Sequence, residues 1–319
     1  MAEKYNYVIY HKNCLDGFTG FFILTLTDTI NENAIIYPDV PSSSNIPPNI
    51  DNKNVIIIDV AYKKEVLSEI FKRAKQALFI DHHISIRDDV LRMDVSYPNK
   101  IIYNEYNSAS VLVWKHFFGK KTSKIPQFVR YIQDNDIGTW ELKYTFPFIS
   151  ALNVNYSTQP TKENLEHWNK LFDKKEINRL VKKGLVYQEY SDYLVDQNIK
   201  KYSLEAFPSE KIFNDFPGFF GKTGQYKVVV YNGNGCPATA QLSTKFLDKI
   251  DCDFVILWVQ NLDRKQYVLQ FRSKNVDVAN IAKLFGGGGH TLASACSIST
   301  DKYNIADLFT EESLPRSYV

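Results

Sequence analysis

The sequence predicts an α/β protein: an N-terminal domain built on a parallel sheet, followed by a smaller C-terminal α/β domain. Three observations carry this. Asn54 to Asp59 and Ala77 to Asp81 are short apolar runs, each closed by a carboxylate, and a helical stretch, Lys63 to Ala74, separates them. Continuous rather than alternating apolar character marks strands buried on both faces, as parallel strands are, and strand, helix and strand with short connections make a βαβ unit. Finally, 319 residues exceed one typical domain and leave room for two cores.

The elements follow in order. Tyr5 to Tyr10 is a first strand. His11-Lys12-Asn13-Cys14-Leu15-Asp16-Gly17-Phe18-Thr19-Gly20 reads as a polar loop leading into an apolar helix from Phe21. Taken singly, His11 is a surface histidine and Asp16 a helix N-cap. Ala34 to Tyr37 is a second strand, and the proline-rich Pro41 to Pro48 a loop. After Asp59, the strand through Ile80 ends in Asp81-His82-His83. Adjacent histidines on extended backbone point to opposite sides, so one is expected to face a given metal and the other the substrate.

Asn107-Ser108-Ala109-Ser110 precedes the apolar helix Val111 to Phe118; its amides either take a phosphate or are simply capped. Pro126 to Gln133 is a helix running into Asp134-Asn135-Asp136-Ile137-Gly138-Thr139-Trp140. Either aspartate would complete a metal site there, and Asp134 is favoured. Lys162 to Tyr202, long, charged and helical, reads as a connector without chemistry. Prolines and glycines crowd between Phe207 and Gly224 and place the domain boundary nearby, giving domains 1–200 and 215–319.

The second domain restarts with a strand, Tyr226 to Tyr231, a glycine-containing loop and a helix from Pro237 to Leu247. Asp253 to Gln260 and Gln266 to Arg272 are strands expected to pair. The helix Asp277 to Phe285 ends in Gly286-Gly287-Gly288-Gly289-His290. Four consecutive glycines cost backbone entropy and are expected where amides crowd around an anion. Arg272 and His290 would bring charge or protons to the same phosphate.

Parallel strands bring their C-terminal ends to one edge, where open α/β sheets bind ligands. His11 with Asp16, then Asp59, then Asp81 with His82 and His83 are therefore expected together. Carboxylates ~4 Å apart repel by about 4 kcal/mol per pair at an effective dielectric of about 20, so a cation is expected among them. Oxygen and imidazole ligands suit Mn²⁺, Mg²⁺ or Fe²⁺ over structural zinc, and ligands enough for two ions point to phosphoester hydrolysis. A net charge of +2 excludes a global polycation. Four scattered cysteines without a CxxC pair exclude a zinc module or disulfide framework and fit a reducing compartment. The N-terminus has no apolar run of signal-peptide length and no segment is long enough to span a bilayer, so cytoplasmic residence away from membranes is expected.

In this order and spacing, His11…Asp16-Gly17, Asp59 after a strand, Asp81-His82-His83, Asp134 and Gly286-Gly287-Gly288-Gly289-His290 resemble the DHH phosphoesterases with a DHHA1 C-terminal domain. That superfamily holds nanoRNases, pAp phosphatases and RecJ-type exonucleases. The resemblance covers nearly the whole chain. It implies a DHH domain with two ions, usually Mn²⁺, a helical connector, and a DHHA1 domain that grips substrate across a cleft. It implies Asp59 as the bridging carboxylate and His11, Asp16, His82 and Asp134 as further metal ligands. Asp81 would orient a ligand and His83 would meet the phosphate or leaving group. Arg272, Gly287, Gly288, Gly289 and His290 would clamp substrate; Ser108, from the helix-start reading above and not from the resemblance, is a further candidate phosphate contact.

The activity so implied is hydrolysis of phosphodiester or phosphomonoester bonds in short oligonucleotides or small nucleotides by a metal-activated water, by a monomer or homodimer. At 319 residues there is no room for the added nucleic-acid modules of large RecJ proteins. The rivals are a single-strand-specific 5′-3′ exonuclease, an exopolyphosphatase and a retired nucleotide-binding protein. One departure stands out. Many members carry two aspartates in the first motif, whereas Cys14 stands near the earlier one, and the His11-to-Asp16 spacing is a residue short. Cys14 is thus either a softer ligand or none.

Overall fold

A computed structural model describes residues 4–41, 43–119, 122, 124–208, 226–233, 239–305 and 309–311. The chain divides into two compact units, Met1–Gln188 and Glu189–Val319. The boundary stretch expected near Phe207 to Gly224 lies from 209 onward outside the described residues, as does the 234–238 part of the glycine loop.

In the first unit the strands are β1 (Tyr5–His11), β2 (Ile30–Asp39), β3 (Asn54–Ile58), β4 (Gln76–Asp81) and β5 (Lys100–Tyr103). They form one parallel sheet in the order β2-β1-β3-β4-β5. The helices are α1 (Leu15–Thr25), α2 (Lys64–Arg73), α3 (Arg87–Leu91), α4 (Ala109–Phe118), α5 (Gln127–Ile137), α6 (Thr145–Asn155) and α7 (Lys162–Trp168), and the long α8 (Lys174–Tyr202) continues past the unit boundary. Side chains alternate across the strands. Val8, Tyr10, Ile56, Ile58, Leu78 and Ile80 pack on one face with Phe18, Phe22, Val113, Phe128 and Trp168. Tyr7, Ile9, Val55, Ile57, Ala77 and Phe79 pack on the other with Val66, Leu67 and Ile70 of α2. Burial on both faces is why these runs read as continuously apolar.

Two boundaries differ from the sequence reading in ways that matter for the site. Helix α1 begins at Leu15, so Asp16 and Gly17 belong to its first turn rather than to a loop. Helix α5 continues to Ile137 and ends on Gly138 in the left-handed region (φ 77°), so Asp134 and Asp136 both lie on helix.

The second unit carries a seven-stranded sheet, order β10-β11-β9-β8-β7-β6-β12. Its strands are β6 (Ser203–Pro208), β7 (Val228–Asn232), β8 (Phe254–Asn261), β9 (Gln266–Ser273), β10 (Gly288–His290), β11 (Ala293–Ser299) and β12 (Phe309–Glu311). Only β7 and β8 run parallel; β8 and β9 pair antiparallel as neighbours. Helix α9 (Thr239–Lys249) packs with Val229, Tyr231, Val255 and Leu257 on one face. Helix α10 (Val278–Leu284) packs with Val228, Val230, Phe254 and Ile256 on the other. No helix among the described residues is long and apolar enough to cross a membrane.

Candidate metal centre

Register places the site. Tyr10 pairs with Ile58, and Ile58 with Ile80. The residues that follow, His11, Asp59 and Asp81, therefore emerge side by side at the C-terminal edge of β1, β3 and β4. Asp59 turns the chain with φ 64°, the left-handed region that aspartate tolerates better than most residues. Gly17 is what lets α1 start so close to β1. A Cβ there would stand 2.7 Å from the His11 Cβ and 2.9 Å from its backbone N and O. With α1 drawn in, Asp16 sits fully buried beside Asp59.

Asp59 is the hub. Its Oδ1 lies 3.1 Å from His82 Nε2 and 3.7 Å from His83 Nδ1. Its Oδ2 lies 3.2 Å from His11 Nδ1 and accepts from Cys14 Sγ at 3.3 Å. His82 Nε2 also lies 3.2 Å from Asp136 Oδ2 and 3.8 Å from Asp16 Oδ2. Both histidines thus approach the same carboxylate, and the expected opposite orientation is not kept. Asp81 Oδ1 accepts from the amides of His82 (2.6 Å) and His83 (2.8 Å) and from His83 Nδ1 (2.8 Å). That oxygen orients the pair.

Three of the expected roles are corrected. Asp134 lies outside the cluster: its Oδ1 accepts from Thr139 Oγ1 (2.7 Å) and Glu141 N (2.8 Å), and its Oδ2 from Leu142 N (3.1 Å) and Thr145 Oγ1. It ties down the loop between α5 and α6. Two positions apart on a helix are about 200° apart, so Asp136 faces the site instead. Ser108 is fully buried, with its amide on Gln133 Oε1 (3.1 Å), and so is not a phosphate contact. The α4 N-terminus does meet a carboxyl group, but it is Asp16: Ser110 donates to it from N (3.2 Å) and from Oγ.

The glycine run has reasons within its own unit. The amides of Gly286 and Gly287 donate to Lys283 O (3.0 Å) and Ala282 O (2.9 Å), ending α10. A Cβ on Gly287 would stand 2.1 Å from Ala295 O. Those two amides are therefore spent on the fold, against the expected anion cradle. Ala293 of β11 pairs with Arg272 of β9 on one side and with His290 of β10 on the other. Cross-strand partners share a sheet face, so Arg272 and His290 flank Ala293 on the same face.

The electrostatics are those of buried carboxylates crowded against histidines. Burial, then Asp136 and Asp59, push Asp16 up to about 7. Burial opposes charge on His82, but Asp136 and Asp59 outweigh it and hold the ring protonated well above its ordinary range. Burial likewise opposes charge on Asp59, yet His11 and His82 hold its carboxyl well below the usual range. Burial and the same carboxylates raise the Cys14 thiol well above its ordinary value.

Protons thus do the balancing, and the donor set fits divalent cations better. Asp16, Asp59 and Asp81 pair only with histidines among the described residues. Asp81 Oδ2 is buried without a hydrogen-bond partner, a costly condition that a cation relieves. Donor atoms lie within 4.8 Å of one another in the groups His11–Cys14–Asp59, Asp16–His82–Asp136 and Asp59–Asp81–His83. Cys14 and Asp136 are the members that sequence reasoning did not assign.

No family model matches the chain. It is 27% identical over 313 residues, 93% of its length and 68% of the relative's, to uncharacterized protein R106 of Acanthamoeba polyphaga mimivirus. Among solved structures it is similar to the pGpG-specific phosphodiesterase PggH from Vibrio cholerae (17% identity, TM-score 0.48, covering 94% of this chain and 95% of that one). It is also similar to an exopolyphosphatase-related protein from Bacteroides fragilis (15% identity, TM-score 0.44, covering 93% and 87%).

Proposed function

We propose that this chain is a Mn²⁺-dependent phosphoester hydrolase of the DHH type, acting on short oligonucleotides or small nucleotides. One observation carries the reading: the two oxygens of Asp59 face two separate donor sets, His11 with Cys14 on one side and His82 with the neighbouring aspartates on the other. A carboxylate so placed would serve a metal on each side. His11 and Asp59 would hold one ion; Asp16, Asp59, His82 and Asp136 the other. Such ions supply Lewis-acid charge to a phosphoryl group and lower the pKa of an attacking water from 15.7 toward about 7.

The chain's own groups do the rest. Ser110 pins one side of Asp16 and leaves its Oδ2 turned to His82. Asp81 holds His83 through Nδ1, and in this reading Nε2 would exchange a proton with a leaving oxygen. Arg272 and His290, on one sheet face of the second unit, are suited to a nucleotide phosphate.

The test is a 5′-labelled RNA dinucleotide incubated with the protein and Mn²⁺, with an EDTA control and Asp59→Ala alongside. EDTA-sensitive release of mononucleotide, absent in Asp59→Ala, supports the reading. Wild-type turnover in that variant would sink the metal assignment. Stoichiometric Mn²⁺ without cleavage would keep the centre and move the substrate to pAp, cyclic dinucleotides or polyphosphate.

A further inference from the structure

The two donor sets around Asp59 differ in kind. One side is oxygen and imidazole: Asp16, His82 and Asp136, with Asp16 and His82 fully buried. The other is half-buried and holds a sulfur: Cys14 Sγ lies 3.3 Å and His11 Nδ1 3.2 Å from the same Asp59 oxygen. A tetrahedral ion with bonds of about 2.3 Å to sulfur and about 2.0 Å to oxygen and nitrogen has ligand-to-ligand edges of about 3.3 to 3.5 Å. The observed separations are of that size before any ion is added. As a thiol, Cys14 gives Asp59 only a weak hydrogen bond. Sulfur ligands select thiophilic cations, while carboxylates suit Mn²⁺ and Mg²⁺. Cys14 is held by the fold, because its carbonyl opens α1 by accepting from Phe18 N at 3.1 Å.

We propose that the centre is chemically asymmetric: His11, Cys14 and Asp59 form a subsite for a thiophilic divalent cation such as Zn²⁺, Fe²⁺ or Co²⁺, and Asp16, His82 and Asp136, with the other Asp59 oxygen, form one for a hard cation such as Mn²⁺. The proposal rests on the two-ion reading above and adds which ion each side takes. Cys14, not the aspartate usual in the resembled motif, sets the preference.

The experiment uses cobalt as the probe. The full-length protein is stripped with a chelator and titrated with CoCl₂, with absorbance followed in the near ultraviolet and visible and bound cobalt counted by elemental analysis. Wild type is expected to develop a sulfur-to-cobalt charge-transfer band that saturates at one equivalent. Cys14→Ser, close to isosteric, is expected to lose that band yet still bind one cobalt. Cys14→Asp is expected to shift competition at this subsite from Zn²⁺ toward Mn²⁺ by at least about tenfold, the scale on which metal-site groups act. Bound cobalt without the band, or a band that persists in Cys14→Ser, would overturn the asymmetry and leave the phosphoesterase reading standing. No bound cobalt in wild type would overturn both.

Discussion

Exchanging the carboxylate for an amide at Asp134 and, separately, at Asp136 separates two residues that sequence alone cannot rank. In Asp134→Asn the nitrogen that replaces one oxygen faces donors: Leu142 N and Thr145 Oγ1 both give hydrogen bonds to Oδ2. Bonds to a charged acceptor contribute about 1.5–3 kcal/mol each, so losing two costs about 3–6 kcal/mol. For a unit of this size that lowers the melting temperature by about 6–24 °C. In Asp136→Asn the lost partner is His82, 3.2 Å away. The pair attracts by about 5 kcal/mol at an effective dielectric of about 20. Repulsion between Asp136 and Asp16 is relieved at the same time. The net effect on folding is therefore small, while a charged ligand is gone and Mn²⁺ affinity falls at least about tenfold. Thermal unfolding and Mn²⁺ titration of both variants give the answer. A stable Asp134→Asn without Mn²⁺ binding, beside an Asp136→Asn that binds normally, would refute the assignment.

Other expectations follow from the same geometry. Gly17→Ala should disorder the centre, since its Cβ meets the His11 backbone at 2.9 Å; unchanged Mn²⁺ binding and melting temperature would show that α1 need not sit so close. Mn²⁺ binding should release protons near neutral pH, because Asp16, pushed up to about 7, and His82, held protonated, must both give them up. Affinity then rises with pH through that range, and identical binding heats in buffers of different ionisation enthalpy would contradict this. Away from the site, Arg179 holds Glu176 down to about 2, with Tyr156 adding a hydrogen bond. A depressed carboxyl gives stability that is complete above the usual 4.5 and lost as pH falls toward 2. Glu176→Gln should cost about 1 kcal/mol at pH 7 and flatten the melting curve across that window; an unchanged acid limb would count against the pair.

The strand ends were legible because a continuous apolar run closed by a charged residue admits few readings. His11, Asp59 and the Asp81-His82-His83 triplet followed from that pattern together with the habit of parallel strands to end on one edge. What sequence could not supply were facts set by distant packing. Whether α5 stops at Gln133 or runs to Ile137 decides which aspartate faces His82, and no local residue marks the difference before Gly138. Ser108 looks like an accessible cap until Gln133 covers its amide. Cys14 is ambiguous by spacing alone, and only the start of α1 at Leu15 lays its sulfur against Asp59. The glycine run misled for a related reason: the close approach of Ala295, far away in pattern though near in chain, explains Gly287 without a ligand.

The strand order carries a consequence for biosynthesis. β1 is made first but lies inside the sheet, between β2 and β3. While it leaves the ribosome, Tyr5–His11 has two open hydrogen-bonding edges, and the second is closed only when Asn54–Ile58 arrives. At about 5–20 residues per second that interval lasts seconds. The donor set stays incomplete longer still, since Asp136 comes with α5, after every strand of the first sheet has been made. The nascent chain therefore passes through a period in which single carboxylates and imidazoles are present but the full pocket is not. Any cation loading would fall at the end of that sequence, when all the candidate donors are in place.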